Sequence, residues 1–363
     1  MKINGRTDHL ILFIFLTLLA IGFLALSSAS SDLAKTNHDD PYYYLSHQIL
    51  YGLTLGVAGF LAGYFIPYQK YKKFAPLLLL ATIGTAFLTF TPLGFSAGGA
   101  TRWISLGFFT IQPAELLKIG FVIYLAAWLA SERKKRQGDL MNGLVPFLMV
   151  SGFIALLLIL QRSTSSIIII LFTALMMYFV SGAKIRYIVY ALLVGALSIV
   201  LLIYFTPYRL ERIMTFIDPG KDMQGSGYQI NQALISIGSG GLFGVGYGNS
   251  LSKAYLPERI GDSIFAIIAE EFGFVGATFV ILMFLFMVVR GFMLAKTVRD
   301  PFGKLLLVGF STVIGVQVFM HIGAISGLIP LTGVPLPFIS YGGTALAIFM
   351  TIVGIMLNVS RRA

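Results

Sequence analysis

Ten apolar stretches separated by short polar connectors dominate the pattern of hydrophobic and polar positions along the chain. Runs of about 20 apolar residues match the hydrocarbon thickness of a bilayer, where a spanning segment must satisfy its own backbone polar groups. The pattern therefore predicts an all-α polytopic integral membrane protein, organised as a single membrane domain over residues 1–363. The predicted transmembrane helices, about ten in number, have the approximate bounds 9–29, 47–67, 75–91, 113–131, 143–160, 166–182, 188–206, 263–289, 304–325 and 343–358.

The longest connector, residues 207–262, is predicted to be a large extracytoplasmic loop between the seventh and eighth spans. Within it, Ile230, Ala233, Leu234 and Ile237 stand at helical spacing and precede a glycine-rich turn. This pattern predicts an amphipathic helix that lies at the outer membrane interface. Two further informative connectors, between spans three and four and between spans nine and ten, fall on the same face.

Composition agrees with a membrane protein, since 57% of the residues are hydrophobic and 11% are charged, whereas soluble domains carry about 25% charged residues. The chain has no cysteine, which excludes disulfides, thiol nucleophiles and thiolate metal sites. Its four histidines show no ligand spacing, and the sequence contains neither a phosphate-binding Walker loop nor a nucleophile elbow. The sequence therefore predicts no metal site built from side chains.

The formal net charge of +11 comes from short basic clusters between spans and not from one polar face, which argues against nucleic acid as a partner. With a cytoplasmic N-terminus, 17 of the 26 Lys and Arg residues fall on the cytoplasmic side and eight on the outer side. Because cytoplasmic connectors carry an excess of basic residues, this bias predicts that both termini are cytoplasmic. The first span follows Lys2 and Arg6 and is interpreted as a retained signal anchor.

Charged side chains within predicted spans are the first candidates for chemistry, because each costs about 2.5–3.5 kcal/mol on insertion scales. Glu115 and Lys118 share one helix face at i, i+3 spacing. They form either a self-neutralising pair or a polar group that faces a cavity and holds an anion, and the residues alone do not separate the two. Arg102 and Trp103 fit either an interfacial anchor or an anionic headgroup site.

Three acidic residues stand at or within the eighth predicted span. Asp262 precedes that span and follows Gly261, which leaves room for a substrate. From the residues alone, Asp262 is more simply explained as a helix N-cap. Glu270 lies eight residues further along, and Glu271 is rotated from it by about 100°, so only one of them faces a given cavity. Both are predicted to support the cavity or to bind structural partners.

Four ordered motifs carry a family resemblance that covers nearly the whole chain. They are IQPAELLK, GSGYQINQALISIGSGGLFGVGYGNSLSK, YLPERIGDSIFAIIAEEFGFVGA and GLIPLTGVPLPFISYGGTALA. On the predicted spans they resemble the shape, elongation, division and sporulation (SEDS) family of RodA and FtsW proteins. The run GYGNSLSK followed by YLPE is closer to the division-type FtsW branch than to the RodA branch.

The resemblance implies a peptidoglycan glycosyltransferase that polymerises lipid II into glycan strands at the outer face of the bacterial cytoplasmic membrane, in division or elongation. The essential outer aspartate of the family corresponds to Asp262, which we expect to act as general base of an inverting transfer. The fourth-span acid and lysine of the family correspond to Glu115 and Lys118. The implied partners are a class B penicillin-binding protein, other divisome or elongasome membrane proteins, and membrane lipid.

The remaining candidate substrate-binding residues are polar or aromatic and lie in or beside the motifs. Together with Glu115 and Lys118 they are Arg102, Trp103, Gln112, Gln229, Lys253, Glu258, Arg259 and Ser340. Basic residues among them are expected to balance the charge of the diphosphate leaving group. A divalent cation, Mg²⁺ or Mn²⁺, is a further candidate for the same task.

The chain departs from the family pattern in two places. Ser163 stands where many members carry an aspartate after the fifth span, and Ile260, Gly261 and Ser263 surround Asp262 in place of the usual His, Thr and Phe. Two other functions stay open at this point. Charged residues inside spans also fit a lipid II flippase, and a scaffold that only recruits the transpeptidase is the third hypothesis.

Overall fold

The structure is a computed structural model that describes residues 7–97, 100–105, 107, 109–131, 138–218 and 225–362. Several charged residues that belong to the predicted orientation lie outside these ranges. They are Lys2, Arg6, Glu132, Arg133, Lys134, Lys135, Arg136 and Lys221.

Twelve helices follow one another along the described chain. They are α1 (His9–His38), α2 (Tyr43–Phe65), α3 (Tyr68–Leu88), α4 (Pro113–Leu129), α5 (Leu140–Leu160), α6 (Thr164–Val180), α7 (Ile185–Tyr204), α8 (Pro207–Ile217), α9 (Ser226–Ser239), α10 (Ile264–Thr297), α11 (Pro301–Ile325) and α12 (Gly343–Arg362). Within the described ranges, eight of these are long and apolar enough to cross a membrane, namely α1, α2, α3, α5, α7, α10, α11 and α12. The mostly helical polytopic fold is confirmed, whereas the number of ten crossings stays a prediction, since α4 and α6 have 17 residues each.

Local sequence explains where several helices begin. Asp8 caps α1, because its Oδ1 accepts a hydrogen bond of 2.9 Å from Ile11 N. Asp300 caps α11 in the same way, accepting from the backbone N–H groups at positions 302 and 303, and Pro301 then occupies the first turn. Proline is favoured there because the first N–H groups of a helix have no intrahelical acceptor. Pro113 starts α4 as the sequence predicts.

Helix α11 lies at the centre of the bundle, and α7 lies at its edge. In α11, 78% of the most apolar 18-residue window is buried, against 17% in α7. A helix that is apolar on all sides must be covered by protein or by lipid. The contrast therefore assigns α11 to the protein core and leaves the apolar surface of α7 to lipid.

A three-stranded antiparallel sheet connects α3 to α4, and the pattern of apolar stretches does not predict it. Its strands are β1 (Gly94–Ala97), β2 (Ala100–Ser105) and β3 (Thr110–Ile111), in the order β1-β2-β3. Successive side chains on a strand point to opposite faces. Arg102 and Trp103, which the sequence analysis treated as one unit, therefore face different sides of the sheet.

The described part of the large connector contains two α-helices and a 3-10 helix (Ser252–Ala254), of which only α9 was predicted. Helix α9 packs on α10 and α11 and buries Ile230 and Ala233. Leu234 is 42% exposed, so the buried face is narrower than the one predicted. Helix α8 was missed, although Pro207 begins it in the position that favours proline. The placement of α9 at the membrane interface stays a prediction.

The glycine-rich turn after α9 inserts into a kink of α10. Gly273 has φ +65°, and a β-carbon on it would lie 2.3 Å from the backbone N of Gly244. The opened turn of α10 donates hydrogen bonds from Phe274 N to Gly241 O (2.9 Å) and from Val275 N to Leu242 O (3.1 Å). Glycine at position 273 is required both by the left-handed backbone and by this close approach.

Candidate active site

Asp262 lies in the loop before α10 and does not cap it. The N-cap is Ser263, and no side chain makes a capping hydrogen bond there. The interpretation of Asp262 as an N-cap is therefore wrong. Residues just before α12 hold this loop by two hydrogen bonds. Ser340 Oγ donates to Gly261 O (2.7 Å), and Tyr341 N donates to Ile260 O (2.8 Å).

Asp262 lines a polar cavity of about 230 Å³. The described lining residues are Arg212, Gln229, Asp262, His321, Ala324, Leu331, Thr332, Gly333 and Val334. Gln229 is held at the wall because its Nε2 donates a hydrogen bond of 3.0 Å to Ser263 Oγ. The cavity thus brings together residues from α8, α9, α11 and the connector after α11.

The electrostatic surroundings make Asp262 a better base than an exposed aspartate. Burial raises the pKa of the Asp262 carboxyl to about 6, and the nearby Glu258 carboxylate adds to this rise. Arg212 and Arg102 lower the same pKa by a smaller amount. A general base works best when its pKa lies near the operating pH. Asp262 therefore has the environment that its predicted role requires.

A narrow extension of this cavity reaches the N-terminal end of α4. It shares Arg212 and the residues at 332–334 with the Asp262 cavity, and it is also lined by Arg102, Gln112 and Glu115. Arg102 Nη2 donates to Arg162 O (2.7 Å), while the buried Arg102 Nε has no hydrogen-bond partner among the described residues. Burial lowers the pKa of the Arg102 guanidinium, whereas the neighbouring Asp262 raises it. Two arginines thus flank the catalytic candidate.

Lys118 forms the buried pair that was one of the two predicted possibilities. Its Nζ donates to Glu115 Oε1 (2.6 Å) and to Gln317 Oε1 (2.5 Å), and Lys118 is completely buried. Gln317 Nε2 in turn donates to Pro335 O (2.8 Å). Glu115 Oε2 is buried without a hydrogen-bond partner among the described residues, and Glu115 lines the extension. Glu115 therefore both pairs with Lys118 and faces the site.

Ser163, the residue at the family aspartate position, lies in the same extension. Its Oγ donates to Ser166 Oγ (2.9 Å). Among the described residues around it, Arg102, Arg162 and Arg212 are basic and Glu115 is the acidic one. The substitution of aspartate by serine leaves this part of the site more strongly positive than the family pattern implies.

An apolar groove of about 630 Å³ joins the Asp262 cavity on the side of α7. Side chains of α6, α7, α8 and α11 form it, including Phe172, Ile203 and Phe319. The groove and the Asp262 cavity share Arg212 and the residues at 331–332. Arg212 therefore stands where an apolar groove meets a polar cavity.

Four predicted substrate-binding residues lie away from this cavity. Lys253 Nζ donates to Gly248 O (2.8 Å) and lies 3.8 Å from Asp32 Oδ2, while Arg259 Nη1 donates to Lys253 O. The Glu258 side chain is exposed and acts on Asp262 through its charge, while its backbone carbonyl accepts hydrogen bonds from Gly261 N (3.0 Å) and Ser263 N (3.1 Å). Trp103 lines a separate cavity of about 500 Å³. The structure does not bring these four side chains together with Asp262.

The carboxylates of Glu270 and Glu271 accept hydrogen bonds that link α10 to neighbouring segments of the chain. Glu270 Oε2 accepts from Ser236 Oγ (2.8 Å) and Ser250 Oγ (2.6 Å), and its Oε1 accepts from Leu251 N (3.2 Å), Ser252 N (3.3 Å) and Ser252 Oγ (3.2 Å). Glu271 Oε1 accepts from Ser28 Oγ on α1. Both carboxylates are therefore structural acceptors, one of the two roles predicted for them.

Three residues of the site were missed by the sequence analysis. Arg212 follows Arg209 at i, i+3 spacing in α8, a charge pattern that becomes informative once α8 is known to be a helix. Gln317 and His321 stand one turn apart in α11 and are polar positions within an apolar span. The i, i+4 spacing of Gln317 and His321 places them on one face of an apolar span. This indicates a polar site on that face, because polar residues inside spans require partners.

Comparison with known proteins assigns the family. A family model described as "Cell cycle protein", for FtsW, RodA and SpoVE, matches residues 8–363. Stage V sporulation protein E of Bacillus subtilis (strain 168) is 38% identical over 359 residues, covering 98% of this chain and 97% of the relative. Probable peptidoglycan glycosyltransferase FtsW of Geobacter sp. (strain M18) is 36% identical over 357 residues, with 98% and 97% covered.

Solved structures share the fold over the same length. A chain described under "Structural coordination of polymerization and crosslinking by a peptidoglycan synthase complex" superposes with a TM-score of 0.81 at 26% identity, covering 98% of both chains. Rod shape determining protein RodA of Thermus thermophilus superposes with a TM-score of 0.72 at 25% identity, covering 98% of this chain and 97% of that one. These matches confirm the family resemblance, and the chain belongs to the FtsW, RodA and SpoVE family of cell cycle proteins.

Proposed function

We propose that this membrane protein is a peptidoglycan glycosyltransferase that polymerises lipid II. The family membership and the relatives named as probable peptidoglycan glycosyltransferases support this activity. The single observation that carries the proposal is the position of Asp262. Its carboxyl has a pKa raised to about 6 and stands in a polar cavity that continues into an apolar groove between membrane helices.

The two compartments suit the two halves of a lipid-linked sugar. The polyprenyl chain lies in the groove lined by Phe172, Ile203 and Phe319, and the saccharide lies in the polar cavity. The diphosphate that joins them lies at their boundary, where Arg212 supplies positive charge, and Arg102 adds to it from the adjoining extension. Guanidinium groups match phosphate oxygens in geometry and in charge.

Asp262 acts as the general base of a single displacement. Its carboxylate takes the proton of the acceptor sugar hydroxyl while that oxygen attacks the anomeric carbon of the donor. The bond from the anomeric carbon to the diphosphate oxygen breaks, and the diphosphate leaves with the electron pair. Arg102 and Arg212 stabilise the negative charge that develops on the leaving group. Attack opposite the leaving group inverts the anomeric configuration.

A divalent cation would be bound mainly by the diphosphate of the substrate and not by a set of protein side chains. Within the described part of the chain, no three His, Cys, Asp or Glu side chains converge on a metal position. Mg²⁺ commonly binds through one or two carboxylates together with substrate phosphates. Chelation with EDTA, followed by titration of Mg²⁺ or Mn²⁺ back into the polymerisation assay, tests whether such a cation contributes beside the two arginines.

The test is polymerisation of purified lipid II by Asp262→Asn, with Asp39→Asn at the exposed end of α1 as a matched control. The expected result is loss of glycan product in the first variant only. Near-normal polymerisation by Asp262→Asn would remove the base assignment. Wild-type protein that translocates the lipid II headgroup in vesicles without forming glycan supports the flippase, and a protein that does neither supports the scaffold.

We also propose the cytoplasmic membrane as the location, with both termini inside and a class B penicillin-binding protein as partner. The basic bias of the connectors supports the orientation. A similar chain in a complex that couples polymerization to crosslinking supports the partner. Cysteine labelling from either side of spheroplasts tests the orientation, and co-purification with the transpeptidase tests the partner.

A further inference from the structure

His321 is a buried polar side chain in the wall of the Asp262 cavity that neither the sequence motifs nor the proposed mechanism uses. It lies in α11 and is 2% exposed. It lines the cavity together with Asp262, Gln229 and Arg212. Buried polar groups normally have a hydrogen-bond partner for each polar atom, so each exception requires an explanation.

One ring nitrogen of His321 has a protein partner and the other has none in the described part of the chain. Nδ1 lies 2.7 Å from Val334 O. A carbonyl oxygen can only accept, so Nδ1 carries the proton in this contact. Nε2 is buried without a partner. In the neutral ring Nε2 therefore keeps its lone pair and is a hydrogen-bond acceptor.

The segment that fixes His321 also contacts Asp262. Val334 accepts the hydrogen bond of the imidazole, and a β-carbon on the preceding Gly333 would lie 3.3 Å from Asp262 Oδ2. Of two adjacent residues, Val334 thus binds the imidazole and Gly333 lies beside the carboxylate of the catalytic candidate. A substrate group that reaches Asp262 enters the space that His321 lines.

We propose that His321 binds the saccharide that reacts at Asp262, its Nε2 accepting a hydrogen bond from a sugar hydroxyl or amide N–H. The inference rests on the proposed function. In this arrangement Asp262 accepts the proton of the reacting hydroxyl, and His321 accepts a hydrogen bond from a second O–H or N–H group of the same sugar. Two hydrogen-bond acceptors in one cavity thus orient the sugar ring. Because this hydrogen bond forms equally in the bound substrate and in the transition state, it contributes to substrate binding and not to turnover.

The experiment compares two substitutions of His321 in the full-length purified protein. His321→Leu fills a similar space without polar atoms, whereas His321→Asn retains one N–H donor for Val334 and one acceptor. Ser311→Ala is the control, since Ser311 is a buried hydroxyl of the same helix without a hydrogen-bond partner among the described residues and outside the cavity. KM and kcat for lipid II are measured, together with the rise in melting temperature on adding lipid II.

The expected result is a KM about five- to tenfold higher in His321→Leu with little change in kcat, the effect of losing one neutral hydrogen bond. The lipid II-induced rise in melting temperature becomes smaller, and His321→Asn recovers most of both losses. A purely structural histidine gives a different pattern. If His321 is only structural, its substitution lowers the basal melting temperature but leaves KM and the lipid II-induced rise as in wild type. That result overturns the proposal.

A second measurement decides the matter if His321→Leu does not fold. Nitrogen-15 NMR of histidine-labelled wild type, assigned with His321→Asn, should show an unprotonated Nε2 that shifts when lipid II is added. An Nε2 signal that does not move in lipid II-saturated protein overturns the inference. Failure of the wild type to polymerise lipid II overturns the proposed function instead, so the two failures are distinguishable.

Discussion

Gly333 leaves space for the carboxylate of Asp262. A β-carbon on Gly333 would lie 3.3 Å from Asp262 Oδ2, and the residue has φ +62°. Both facts require glycine, because a side chain strains this backbone and crowds the carboxylate. The neighbouring Pro335 carbonyl is held by Gln317 and so by Lys118. The buried ion pair therefore fixes the segment that shapes the position of the catalytic candidate.

Gly333→Ala is expected to lower kcat for lipid II polymerisation by about tenfold or more, since small displacements of catalytic groups cost up to about two orders of magnitude. The matched control is Gly327→Ala. Gly327 also has positive φ (+71°), but its β-carbon would meet Leu234 methyl groups at 3.7 Å and not Asp262. Equal losses of kcat in the two variants contradict a specific role for the Gly333 contact.

The pH dependence of kcat/KM should report Asp262. Burial and Glu258 raise the pKa of this carboxyl to about 6, and only the ionised form accepts a proton. Activity is therefore expected to be constant above that pH and to fall about tenfold per pH unit below it. Glu258→Gln removes one cause of the raised pKa and should move the falling limb to lower pH. A profile that stays flat down to pH 4 is incompatible with Asp262 as the base.

Asp262→Asn is expected to fold at least as stably as wild type at neutral pH. The folded-state pKa of Asp262 lies above the usual 3.8, so the cost of the ionised carboxylate is absent below about pH 4 and fully present above about pH 6. The variant should therefore gain melting temperature relative to wild type as pH rises through this window. Thermal unfolding across pH checks the sign. A variant that is less stable at pH 8 points to a structural partner for the carboxylate.

The spans could be predicted from the sequence because apolar run length is a local property that lipid enforces. The sheet between α3 and α4 could not be predicted in this way. Its strands have four, six and two residues, too few for an alternation of apolar and polar positions to identify them. Helix α8 is not predicted by run length, because charged residues interrupt the apolar positions of 207–217.

The motifs and the polar residues beside them predicted part of the site. Asp262, Glu115 and Gln229 lie at the cavity or its extension as expected, whereas Lys253 and Arg259 bind loop carbonyls. Sequence neighbours of Asp262 are placed by the fold of the loop, which turns Arg259 away from the carboxylate. Partners such as His321 come from another helix, and no spacing in the sequence reports that contact.

Lys118→Met is expected to lower the free energy of unfolding by about 3–5 kcal/mol, because it leaves the Glu115 carboxylate buried without its countercharge. Adding Glu115→Gln removes that charge, so the double variant should recover most of the loss. Denaturant unfolding of the two single variants and the double variant measures the coupling. Additive losses contradict a direct pair between Glu115 and Lys118 and require separate roles for them.

Glu270 and Glu271 are adjacent acids with opposite expected responses to the same substitution. Glu270 accepts five hydrogen bonds that tie α9 and the 250–252 turn to α10, and hydrogen bonds to a charged acceptor are about twice as strong as neutral ones. Glu270→Gln should therefore lower the melting temperature and speed amide exchange at Leu251 and Ser252. Glu271 accepts only from Ser28 among the described residues, and its Oε2 is buried without a partner there.

Glu271→Gln therefore replaces an incompletely paired buried carboxylate by a neutral amide and should leave the melting temperature unchanged or higher. Hydrogen exchange at Leu251 and Ser252 should stay as in wild type, since neither amide contacts Glu271. Equal destabilisation by both substitutions contradicts the division of roles. In that case the 250–252 turn is held by packing around the kink at Gly273 and not by the Glu270 carboxylate.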